Sequence, residues 1–175
     1  MEDIYDGLHT IEDTADEKYL GDVISKSGKN DQNIASRVMK GFGIIKQVVS
    51  ILEELCFGSF FFTVAKILRD SLFLNSILLN SEAWYNVTNN NIDELEKIDN
   101  ILLRKLLEVP SSSPTSMLHL ELGTLPIRFI IKTRRIMFLQ YILKEDGKSL
   151  IHKFLMAQIE KSHPGDWWNA VTKDN

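Results

Sequence analysis

The sequence predicts a mainly α fold, a multi-helix bundle entered through a short N-terminal β-hairpin. Apolar residues recur at three- and four-residue spacing through most of the chain after residue 30. Helix-starting and helix-stopping residues fall between those runs. Strand-like alternation is confined to the first 25 residues. With 175 residues the chain is long enough for a buried core, and only 4 prolines interrupt it.

Taken in order, Leu8 to Glu12 alternates briefly, Asp13 to Asp16 is a polar turn, and Tyr19 to Ile24 alternates again. Two strands joined as a hairpin are expected there. Ser25 to Lys29 reads as a loop, after which Asn30 or Asp31 caps a helix reaching Leu55 through Ile34, Val38, Ile45, Val48, Val49 and Leu52. Gly58 breaks the pattern. A second helix runs from Ser59 to at least Leu79, with Val64, Ile67, Leu68, Leu72 and Leu78 as its buried side. "TNNN" at 88 to 91 closes one element and caps the next.

A third helix, Ile92 to Val109, carries Leu95, Ile98, Leu102 and Leu106 on one stripe, with acids near its start and Arg104 and Lys105 near its end, an order that suits the helix dipole. "PSSSP" at 110 to 114 is a break, Pro114 starts a short helix, and Gly123 ends it. Further helices are expected from about Pro126 to Lys144 and from Ser149 to Lys161. The final residues begin with a turn and complete no element. Three segments result: an acidic hairpin region at 1–28, a helical bundle at 29–109 and connecting helices at 110–175.

Composition narrows the chemistry. One cysteine, Cys56, excludes an internal disulfide framework and a multi-cysteine zinc site. His9, His119, His152 and His163 lack metal-ligand spacing. Phosphate-cradling glycine loops and nucleophile-elbow motifs are absent from the sequence, as is an adjacent aspartate pair for two-metal phosphoryl transfer. A secretory leader pattern is likewise absent, and Lys66, Arg69 and Asp70 interrupt the most apolar window, so no membrane association is expected. The expected location is intracellular, in nucleus or cytoplasm. The net charge of −4 divides into −7 over residues 1–24 and +3 over the rest, which permits contact with phosphates.

Basic residues supply the more informative pattern. Arg128, Lys132 and Arg135 share one face of their helix, and Arg134 lies beside them. That face is either a solvated side or a row of phosphate contacts. Arg37 and Lys40 stand next to Gly41 and Gly43. Two glycines inside a helix cost about 1 kcal/mol each against alanine, so each implies close approach by another helix or by a nucleic-acid backbone. Phe57, Phe60, Phe61 and Phe62 read as core. Trp167 and Trp168 either pack back on the bundle or belong to an interface.

In this order, "KYLGDVIS", "RVMKGFG", "NSEAWY", "LEKIDNILLRKLLEVP" and "LELGTLPIRFIIKTRRIMFLQYIL" resemble the C-terminal part of non-LTR retrotransposon reverse transcriptases, from about Lys18 to Trp168. The resemblance implies that Tyr19, Leu20 and Gly21 match the primer-grip hairpin. It places Arg37, Lys40, Gly41 and Gly43 on the first thumb helix and makes Arg128, Lys132, Arg134 and Arg135 candidate nucleic-acid contacts in the connector. The implied partners are an RNA/DNA template–primer duplex, bound weakly by the chain in isolation, and the fingers and palm of the intact enzyme. Its divalent metal, such as Mg, is held by palm aspartates absent here, so the chain is expected to hold no cofactor, to act on no small-molecule substrate and to be non-catalytic by itself. The alternative is a helical protein-interaction module derived from a retroelement, with no nucleic-acid role.

Overall fold

The computed structural model describes residues 4–5, 10–11, 14–19, 21–26, 28, 30–55 and 60–174. It is mainly helical, with a short antiparallel hairpin leading into the bundle. Two short strands, β1 (Ile4–Tyr5) and β2 (Thr10–Ile11), pair with each other, and β3 (Asp16–Tyr19) pairs antiparallel with β4 (Asp22–Ser25). The hairpin register joins Tyr19 to Asp22, so Tyr19 to Ile24 is not the single strand its alternation suggests. Gly21 has φ +90°, a left-handed conformation that glycine adopts without steric cost, and the chain reverses there, whereas the turn expected from Asp13 lies partly outside the described residues.

The helices follow as α1 (Asp31–Leu55), α2 (Phe61–Leu68), a π-helical segment (Arg69–Leu74) running into one last turn, α3 (Asn75–Ile77), then α4 (Asn89–Leu107), α5 (Thr115–Leu122), α6 (Ile127–Lys144), α7 (Leu150–Glu160) and α8 (Trp167–Asp174). The start of α4 is the cap expected from "TNNN". Thr88 and Asn91 form a reciprocal box, each side chain accepting the other's backbone N–H. Gly123 ends α5 in the left-handed conformation, as expected.

Three expectations need correction. Ile67 lies off the face of α2 formed by Phe61, Val64, Ala65 and Leu68, and Leu72 points outward because the π segment widens the helix and shifts its phase, burying Arg69, Phe73, Leu74 and Ile77. Phe60 and Phe62 are exposed, leaving only Phe61 of the described aromatic cluster against the core. The last residues do complete an element: Trp167 and Val171, one turn apart, are the buried face of α8. Gly58, Phe57 and Cys56 lie outside the described residues.

The main core is built on α4. Leu95, Ile98, Leu102, Leu103 and Leu106 are buried against Ile34, Ile45, Val48 and Leu52 of α1, the apolar residues of the α2 to α3 run, and Leu118, Leu122, Ile127 and Ile131 beyond position 110. A second, smaller core of Ile142, Leu155, Trp167 and Val171 joins the end of α6 to α7 and α8. At the centre of the first, Arg69 is buried and donates from Nε and Nη2 to both Asp99 oxygens at 2.8 and 2.6 Å, and from Nη2 to the Leu125 carbonyl at 3.2 Å. Removing one partner of a buried pair strands the other charge. Asp99→Ala should therefore destabilise the chain by about 3–5 kcal/mol, read from urea unfolding.

Candidate nucleic-acid interface

A strand carboxylate anchors the hairpin on the bundle. Asp22 accepts from Arg37 Nη2 at 2.5 Å, from Asn33 Nδ2 at 2.9 Å and from Asn80 Nδ2 at 2.7 Å, which ties β4 to α1 and to the turn after α3. Asn33 Oδ1 returns the link by accepting the Val23 N–H at 3.3 Å and Arg37 Nε at 3.2 Å. Arg37 is only 3% exposed; its Nη1 reaches the Ser76 carbonyl at 3.1 Å and its guanidinium lies 5.3 Å from the Trp84 ring centroid. Burial draws the Asp22 carboxyl upward, but the bonds from Asn80, Arg37 and Asn33 outweigh it and hold the group below its ordinary value.

Each residue expected at the interface has a definite place. Tyr19 is exposed on the hairpin, and Gly21 turns it, its carbonyl 3.5 Å from Arg37 Nη2. Leu20 lies outside the described residues. Arg37 belongs to the interior of the hairpin joint, whereas Lys40 points to solvent. The two glycines of α1 separate. A Cβ on Gly41 would come within 2.9 Å of Ile98 Cδ1 and 3.3 Å of Ile77 Cγ2, so this glycine lets α1 close on α4. Gly43 faces open space, with nothing within 4 Å of its Cβ position. Of the two approaches the glycines implied, Gly41 serves a neighbouring helix, and Gly43 serves no contact inside the fold.

The cationic row of α6 is corrected more sharply. Arg135 is buried, not solvated, and its Nη1 donates to Asp174 Oδ2 at 2.9 Å, with Lys132 Nζ 3.9 Å from the other oxygen. Arg128 is half exposed but sits between Glu96, at 2.6 Å, and Asp93, at 3.1 Å. Partial burial raises the Glu96 carboxyl, and the side-chain and backbone hydrogen bonds from Arg128 overcome that and lower it. Arg134 Nη1 donates to the Leu78 carbonyl at 2.6 Å and to Ser81 Oγ at 3.3 Å, pinning α6 to the turn after α3. These four cations therefore hold helices together. Mutual repulsion along the row is relieved by Asp93, Glu96 and Asp174 from within the chain.

The open face of α1 assembles what spacing had only half shown. Ser36, Lys40, Gly43, Lys46, Gln47 and Ser50 are all exposed and recur at three and four residues on one face, which also carries the exposed Met39 and is bordered by Phe42. Among the described residues neither Lys40 nor Lys46 meets a carboxylate. Lys46 was missed; its position three residues past Gly43 was the available signal. Asp22, Asn33 and Asn80 carried no signal, since their meeting depends on a contact 58 residues apart in sequence. Among the described residues no group of three His, Cys, Asp or Glu side chains is placed to hold a metal ion. Nor is any helix long and apolar enough to cross a membrane.

Against known proteins, the chain matches no family model, no curated protein and no solved structure.

Two outcomes follow from this geometry. Gly41→Ala should lower stability by about 1–3 kcal/mol through overpacking against Ile98, while Gly43→Ala should raise it by about 0.5–1 kcal/mol through helix propensity, both read from denaturant midpoints. Because the folded pKa of Asp22 lies below its ordinary 3.8, the stabilisation is complete above that value and is lost as pH falls through the folded pKa. Urea midpoints measured from pH 6 downward should drop more steeply for the wild type than for Asp22→Asn.

Proposed function

We propose that the chain is the primer-grip, thumb and connector portion of a non-LTR retrotransposon reverse transcriptase, a part that performs no reaction and holds an RNA/DNA template–primer duplex by its phosphates. Its support in sequence is the order of five segments from Lys18 to Trp168. The observation that carries it is Gly43. A glycine in the middle of a 25-residue helix is destabilising, and among the described residues no atom comes within 4 Å of where its Cβ would sit. Lying between two uncompensated lysines on an exposed stripe, it clears space for a backbone bearing negative charge. The hairpin with Tyr19 and Gly21 is held rigidly on the same helix by the Asp22–Arg37 pair, so a strand end and the duplex behind it would meet a single body.

Phosphate contacts of this kind tolerate any sequence and weaken steeply with salt. Fluorescence anisotropy with a labelled RNA/DNA hybrid at low salt should show binding above that of a charge-matched control protein. Lys40→Gln with Lys46→Gln should lower the slope of log affinity against log salt by about 1–2. Gly43→Leu should weaken binding without lowering the unfolding midpoint. Binding no stronger than the control would defeat the reading. The protein-interaction alternative would then take its place, favoured by Met137, Tyr141, Leu150 and Phe154, exposed apolar side chains on α6 and α7.

A further inference from the structure

The loop between α4 and α5 combines accessible hydroxyls with an under-used guanidinium. Glu108 ends α4 in a left-handed conformation, and the Ser113 N–H closes a turn on the Pro110 carbonyl at 3.1 Å. Ser111 and Ser112 are exposed in that turn, Ser113 is half-buried, and Pro114 holds an extended conformation with φ −60° and ψ 132°. Ser113-Pro114 is the sole Ser-Pro or Thr-Pro step in the sequence.

Beneath it lies Arg104. Its Nη2 donates to the Ser113 carbonyl at 3.2 Å and its Nη1 to the Asn100 carbonyl at 3.5 Å, while its buried Nε has no acceptor. Arg37, Arg69, Arg128 and Arg135 each meet a carboxylate. Among the described residues Arg104, like Arg134, meets no carboxylate, and its own partners are carbonyl oxygens. Lys105 and Glu108, both exposed, and Ser111 line the same shallow notch.

We infer that Ser113 is a phosphorylation site for a proline-directed protein kinase, with Arg104, which already holds the Ser113 carbonyl, as the group that receives the phosphate. In the transfer, Ser113 Oγ bonds to the γ-phosphorus of ATP and the bond from that phosphorus to the β-bridging oxygen breaks. The hydroxyl proton passes to the kinase's base and ADP departs. The product adds nearly two negative charges and three acceptor oxygens beside a guanidinium short of an acceptor. The consequence is a tighter corner between α4 and α5, joining the end of the central helix to the start of the connector.

The test uses the full chain, a proline-directed kinase and Mg-ATP, with the modified residue located by tandem mass spectrometry. Expected is phosphate on Ser113, none at that position in Ser113→Ala, and a rise in Tm of roughly 2–4 °C for the modified chain at low salt that shrinks at high salt. Arg104→Gln should accept the phosphate yet lose the rise, and Arg104→Lys should keep part of it. Failure of the kinase to modify Ser113, phosphate confined to Ser111 or Ser112, or an equal rise in Arg104→Gln would each overturn the assignment.

Discussion

A guanidinium cannot be taken out of water in a helical core without an anion to meet it, and this chain buries three. Arg37, Arg69 and Arg135 each find an aspartate supplied by a distant stretch: Asp22 from the hairpin, Asp99 from the central helix and Asp174 from the last helix. Those pairings decide which surfaces may touch. Asp22 ties the hairpin to α1, Asp99 ties α4 to the π segment, and Asp174 ties α8 to α6. Apolar burial supplies the driving force for collapse, but apolar contact tolerates many registers. Each ion pair joins one named residue on each of two elements.

The same constraint explains why the cations divide as they do. A basic residue matched inside the fold is held in place and withdrawn from any external anion, which describes Arg37 and Arg135 and, at the surface, Arg128 between Asp93 and Glu96. Lys40 and Lys46, two of the basic residues that meet no carboxylate among the described residues, lie on the outer stripe of α1 beside Gly43. The proposed duplex contact thus rests on what the interior did not consume. The joint made by Asp22, Asn33, Asn80 and Arg37 links that stripe to the hairpin, and its strength depends on Asp22 staying ionised.

Much of the helical plan was legible because it is set by neighbours in sequence. The Thr88 and Asn91 box, the Gly123 terminus and the Leu95 to Leu106 stripe are local events, decided within one or two turns. Where the reading failed, the deciding force was remote. Leu72 occupies a correct position for a regular helix, yet the chain is π-helical from Arg69 to Leu74, and Arg69 there turns inward to Asp99, thirty residues away. Trp167 gave no hint of its element, since its Nε1 donates to the Glu82 carbonyl at 2.7 Å and its ring meets Phe138 edge-on, partners outside any local window. Arg135 looked solvated because Asp174 had no visible reason to return to it.

By itself, then, the sequence determined where helices begin and end, which stripe of each is apolar, and that α1 carries glycines and cations in close succession, all consequences of backbone propensity and short-range periodicity. Tertiary structure alone decided that Gly41 faces α4 while Gly43 faces outward, and that Arg37 and Arg135 are internal while Lys40 and Lys46 are not. The physical reason is that charge burial is settled between elements. A lysine or arginine carries the same spacing on its own helix whether or not an aspartate from elsewhere arrives to neutralise it.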